Sequence, residues 1–199
     1  MALFFALTSA FHFGNAFFWR EFYISQLERC YAPTRWIEYF LSAPVMIVLI
    51  GFTLGVRDRS MLIALAALVA TTMPFGYVVE AFARPLSETA WDTPLWWQLL
   101  PWAIGHVPQL AAWLIILLQF HDSRYDPDDI TPSWVYAILY VEVLLFFSFG
   151  VASAVSHWGT PRHYYRGEIL FQVLSLVSKG LLGGLLLANV LMQASFDYR

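Results

Sequence analysis

The sequence predicts an all-α membrane protein, one transmembrane domain over 1–199 with six helices, and three observations carry that expectation. Hydrophobic residues make up 59% of the 199 and charged residues 13%, against about 45–50% and about 25% in a soluble domain. Six apolar runs are each long enough to cross roughly 30 Å of hydrocarbon as a helix, at about 1.5 Å per residue. None of them alternates polar and apolar positions, as strands of a membrane barrel would.

The first run, 2–18, reads "ALFFALTSAFHFGNAFF". It lacks a basic flank and a small-residue cleavage site, which predicts a retained helix and not a signal peptide. The second apolar run covers 36–56. Ser25 and Glu28 have the spacing of a capping box, so the helix is expected to start there, cover 25–56 and bend at Pro33. The third run, 60–83, carries Pro74 in "TTMPFG", which predicts a kink whose freed backbone groups are satisfied by neighbouring helices. The fourth run is 95–119. The fifth, 132–155, follows the long polar stretch "HDSRYDPDDITPS" (121–133), where Thr131-Pro132 suits a helix start. The sixth is 168–194. Tryptophans at 19, 36, 91, 96, 97, 102, 134 and 158 fall near helix ends, as interfacial belts do.

A net charge of −3 and the absence of any Arg/Lys-rich run argue against a nucleic-acid partner. The single cysteine, Cys30, excludes an intrachain disulfide and a cysteine metal cluster. Loop arginines set the orientation. Arg20, Arg29, Arg35, Arg84, Arg162 and Arg166 fall on one face, and Arg57, Arg59, Arg124 and Arg199 on the other. That excess predicts a cytoplasmic 19–35 loop and an extracellular C-terminus.

The sixth run, "SLVSKGLLGGLLLANVLM" (175–192), has a lysine in its apolar middle. A charge there costs several kcal/mol, roughly 3 on insertion scales, and marks a functional candidate. Lys179 is expected roughly 17 Å inside its helix and Glu38 roughly 20 Å inside a parallel one, at 1.5 Å per residue. Opposite charges at one level are how a bilayer tolerates either. Ser175 one turn before the lysine and Ser42 one turn after the glutamate share the polar pocket. Two readings stand side by side: a structural ion pair that locks two helices, and a desolvated amine that forms a Schiff base with an aldehyde.

The residues "RWIEYFLSAPVMIVLIG" (35–51) and "LSLVSKGLL" (174–182) resemble the third-helix and retinal-lysine segments of heliorhodopsins. The likeness continues in "FGYVVE" (75–80), "VYAIL" (135–139) and "GE" (167–168), in order and over essentially the whole chain. The resemblance implies a rhodopsin-like bundle of seven helices, so a first helix is expected ahead of the six found here. It also implies all-trans retinal bound covalently to Lys179 as a protonated Schiff base, with Glu38 as counterion, in a membrane-embedded homodimer. Ser175 and Ser42 would complete the cluster. Thr8, in "LTSAFH", stands where a serine is usual, and His12 would belong to the polar network on the inner side. Gly76 and Phe146 would touch the polyene, and Glu80 and Glu168 would be acids towards the cytoplasm, candidate proton relays or else solvated helix ends. On spacing alone His12 reads more simply as a packing residue.

The chain departs from that pattern at three positions. Gln109 replaces a tryptophan, Phe147 an asparagine, and Glu142 an apolar residue. Glu142 is expected near the depth of Lys179, holding its proton in the dark, as a relay acid or as an acid resting on Tyr140 or Ser148. The resemblance therefore implies a light sensor or regulator. A light-driven proton transporter or channel using Glu142 is the alternative. A Schiff-base lysine enzyme ranks last, because no second acid–base pair or metal set accompanies the lysine.

Overall fold

A computed structural model describes residues 2–82, 94–122, 133–157 and 161–196. The tryptophans at 91 and 158, the arginines at 84, 124 and 199, and the Thr131-Pro132 start lie outside them. Helices dominate the described residues: α1 (Ala2–Phe13), α2 (Arg20–Glu28), α3 (Pro33–Thr53), α4 (Arg59–Phe82), α5 (Leu95–Gln98), α6 (Leu100–Asp122), α7 (Ser133–Ser156) and α8 (Pro161–Phe196). Five of them, α3, α4, α6, α7 and α8, are long and apolar enough to cross a membrane, with a shorter apolar helical stretch at Leu3–Phe18. The last five residues of that stretch wind more loosely, as a π-helical turn over Gly14–Phe18, closed by Trp19 N–H to the Gly14 carbonyl at 3.0 Å.

Helix α3 does not begin at Ser25. The Ser25 hydroxyl donates back to the Phe22 carbonyl at 2.8 Å instead of capping, and Glu28 is the last residue of α2. The chain reverses direction at Cys30, which is buried with φ at 52°, in the left-handed region. Pro33 then occupies the first turn of α3, where its missing N–H costs nothing. The proline signal thus marks a helix start and not a bend. The backbone N–H of Ala32, just ahead of that start, donates to Glu80 Oε2 at 3.2 Å, so another helix satisfies it.

Helices α3, α4 and α6 pack in series, α1 leans on α3, and α7 pairs with α8. Between α7 and α8 the approach is closest at Gly167, where any Cβ would strike the Ser156 hydroxyl. The α7–α8 pair meets the other helices mainly through side chains. At one end these form an apolar cluster that includes Ile47, Ile50, Leu65, Ile116, Ile138 and Leu182. At the other end, where α3, α6 and α8 begin, the bridges are polar.

Candidate functional site

Between those two ends a cavity of about 780 Å³, its mouth included, opens among α3, α4, α6, α7 and α8. Its walls are aromatic and small, with Trp36, Tyr39, Phe146, Phe149 and Phe171 facing Gly76, Gly105 and Gly150. The glycines are required by close approach: a Cβ at Gly76 would enter the Trp36 indole, and one at Gly150 the His106 imidazole. The aromatic and glycine-lined walls, with Lys179 and a few polar groups among them, suit one elongated apolar ligand.

Lys179 stands in this wall, and its Nζ donates to Glu38 Oε1 at 2.5 Å. Both side chains are buried, and the ammonium also rests 5.2 Å from the Tyr39 ring centre. The depths expected from the sequence do not hold, since Glu38 lies in only the second turn of α3 while Lys179 is midway along α8. They meet because α8 starts well before the level at which α3 starts, and because a helical side chain leans towards its own N-terminus. That lean carries the lysine back along α8 to the glutamate.

One turn before Glu38, Arg35 makes a second buried centre. Its guanidinium bridges Glu168, through Nη1, and Glu80 at 2.6 Å, through Nη2. It lies 4.0 Å above the Phe171 ring centre. Every carboxylate oxygen of the pair is taken. Glu80 accepts from Tyr164 at 2.7 Å, Trp36 Nε1 at 2.6 Å and the Ala32 backbone. Glu168 accepts from Tyr23 at 2.7 Å and Gln172 at 3.1 Å. Glu80 and Glu168 are therefore not solvated helix ends, Arg35 is not a loop arginine, and Trp36 is not a belt residue. Trp102 also leaves the belt, lining the cavity and donating to the Gly150 carbonyl at 2.9 Å.

Of the other sequence-derived residues, Ser42, Gly76 and Phe146 join Lys179 on the cavity, as does Gln109. Ser175 is fully buried and faces the Tyr39 hydroxyl, which donates to the Phe171 carbonyl at 3.2 Å. Thr8 is buried on α1 with its hydroxyl unpartnered, and His12 has an unpartnered Nε2; neither lines the cavity. Glu142 is fully buried on α7, and neither oxygen has a hydrogen-bond donor. It does not rest on Tyr140, which is exposed, or on Ser148, which donates to the Leu144 carbonyl.

Sequence reasoning missed Arg35, Trp36, Tyr39 and Tyr164 as site residues. A signal existed for three of them: Arg35 stands three residues before Glu38 and four before Tyr39, one helical turn from each, and Trp36 adjoins Arg35. It also missed His157, buried at the end of α7 with Nδ1 2.6 Å from the Ser153 carbonyl and the Tyr164 ring 6.3 Å away. Burial holds the His157 imidazole below its ordinary pKa.

The family model described as Heliorhodopsin matches residues 1–191 of the chain. No curated protein matches it.

Arg35→Ala leaves Glu80 and Glu168 buried without their cation and should cost about 3–5 kcal/mol, the loss typical of a broken buried pair. Thermal unfolding in detergent measures it, and Arg35→Lys should recover only part because one ammonium cannot span both carboxylates as a planar fork does. His157 gives a pH prediction. Its folded-state pKa is depressed, so the unfolded chain takes up a proton first as pH drops below 6.5. Stability from this group is complete above that pH and falls below it, by at most ~1.4 kcal/mol per pH unit. His157→Gln should flatten the parent's loss of melting temperature between neutral and mildly acidic pH.

Proposed function

The chain belongs to the heliorhodopsin family, and from that premise we propose that it carries retinal on Lys179 as a protonated Schiff base, with Glu38 as the counterion. The family makes it a membrane-embedded, retinal-binding, light-sensing rhodopsin and not a classical enzyme. The observation that carries the finer reading is the 2.5 Å Lys179–Glu38 pair in the wall of an aromatic cavity. Lys179 is also the only lysine in the sequence. Retinal supplies the light absorption and the change of shape. The chain's own residues supply the rest.

Lys179 would hold retinal, its Nζ being the amine able to join the aldehyde as an imine. Glu38 holds the positive charge that remains on the nitrogen, since a carboxylate nearby favours the charged form. Tyr39 adds the face of its ring to that cation at 5.2 Å. Ser175 and Ser42 supply hydroxyls for the same cluster. Thr8 and His12, on α1, are proposed as its further polar neighbours. Trp36 and Gly76 set the width of the cavity, and Phe146 closes its side.

The saturated Arg35–Glu80–Glu168 bridge favours a sensor in which light-driven strain at Lys179 reaches the ends of α3, α4 and α8. These acids have all their oxygens occupied, which supports a lock more than a relay. We assign that end to the cytoplasm, with the C-terminus outside and the protein acting as a dimer. Glu142, whose unpartnered oxygens single it out, supports a second reading as a light-driven proton transporter or channel.

Lys179→Ala and Lys179→Arg should fold and bind no pigment covalently, because neither side chain forms an imine. Visible absorbance retained in either would overturn the attachment site. Glu38→Gln should shift the absorption maximum to the red or convert the pigment to a near-ultraviolet, deprotonated form. A parent-like spectrum and acid titration in Glu38→Gln would assign the counterion elsewhere.

A further inference from the structure

The residues that line the cavity on α7 are Phe146, Phe149, Gly150 and Ser153, a stripe at 3–4 residue spacing. Glu142 is the next position of that stripe, one turn beyond Phe146. On α6 the stripe ends at Gln109, and Trp113 is its next position. The two stripes converge, because the Trp113 and Phe146 rings meet edge to face at 5.2 Å. Glu142 and Trp113 therefore form the layer that closes the cavity at the end away from Arg35.

The polar atoms of this layer lack partners. Trp113 Nε1, Gln109 Oε1 and both oxygens of Glu142 are buried without a hydrogen bond. An unsatisfied buried donor or acceptor costs about 1–3 kcal/mol, and an unpaired carboxylate more. A donor on Trp113 and acceptors on Gln109 and Glu142, each one turn from a member of the Trp113–Phe146 contact, offer the two to four polar partners that a buried water needs.

The layer is also level with the place of Lys179 on α8, whose side chain leans from there towards Glu38. Phe149 faces Phe171 with ring centres 6.0 Å apart, and His157 faces Tyr164. These contacts fix the antiparallel register of α7 and α8. Two turns further along both helices, at about 3.6 residues per turn, Glu142 comes level with Lys179. Nζ donates to Glu38 and neither oxygen of Glu142 receives a donor, so Glu142 acts at a distance and not as a second counterion.

We propose that Glu142, Trp113 and Gln109 form a water-holding acid pocket that caps the chromophore cavity and exchanges a proton with its water when the charge on Lys179 moves. The pocket rests on the chromophore reading for its trigger but not for its existence. In the dark Glu142 is a neutral acid, because no cation or donor meets it. When positive charge shifts towards it, its O–H bond breaks, the proton passes to the bound water, and the Trp113 N–H steadies the carboxylate. The proton returns by the same bond when the charge recedes. No other reactant is needed.

Infrared spectra of the parent, Glu142→Gln and Trp113→Phe, recorded in H₂O and D₂O before and after retinal is added, test the pocket. The parent should show a carboxylic-acid C=O band that is lost in Glu142→Gln, moves down in D₂O and moves up in Trp113→Phe. Light should bleach that band once retinal is bound. Two results overturn the pocket: no acid band lost in Glu142→Gln, or a band indifferent to both D₂O and Trp113→Phe. A band that behaves as expected in the dark but ignores light overturns the proton exchange. Expected dark bands in a protein that takes up no retinal uphold the pocket and instead refute the chromophore reading.

Discussion

An ammonium group inside a membrane helix must be met by a negative charge at its own level, and in this chain that need is filled by Glu38 of α3. The Lys179–Glu38 pair joins two helices whose backbones stay apart, so the side chains span a gap and do not close it. That gap is the cavity. An aldehyde joined to the amine as an imine, in place of two N–H bonds of the ammonium, would inherit the same carboxylate and the same aromatic walls. The constraint that tolerates the lysine is thus the one that would hold a cationic imine.

The polar bridges are graded along the bundle. Nearest the start of α3, Arg35 joins Glu80 and Glu168 in a centre with every carboxylate oxygen occupied. Next come the Tyr39 bond to the Phe171 carbonyl and the Lys179–Glu38 pair. Beyond them the contacts turn apolar, interrupted by Glu142. A saturated centre is stiff and an orphaned acid is not. Changes at Lys179 therefore meet a rigid, charged anchor on one side and a single adaptable acid on the other.

The helices were legible because hydrocarbon imposes length and apolarity on each one. The break at Cys30 was not, since the capping-box spacing of Ser25 and Glu28 also occurs inside a helix and only the left-handed Cys30 reveals the turn. Lys179 and Glu38 were legible as lone charges in apolar runs, although the depth reckoning that paired them was wrong in both helices. Arg35 was hidden by its position beside a helix start, where an arginine reads as a flanking charge that orients the chain. Glu80 and Glu168 were found as acids, but their partners come from α2, α3 and α8. Such convergence is a tertiary fact that helical spacing does not encode. His157 left no pattern at all.

The most direct measurement of the central claim is the site of covalent attachment. The purified protein is reconstituted with all-trans retinal, reduced with borohydride to trap the imine as a secondary amine, digested and mapped by mass spectrometry. The account predicts a retinyl group on the peptide containing Lys179 and on no other. A retinyl group on any other amine, or none on that peptide, would contradict it.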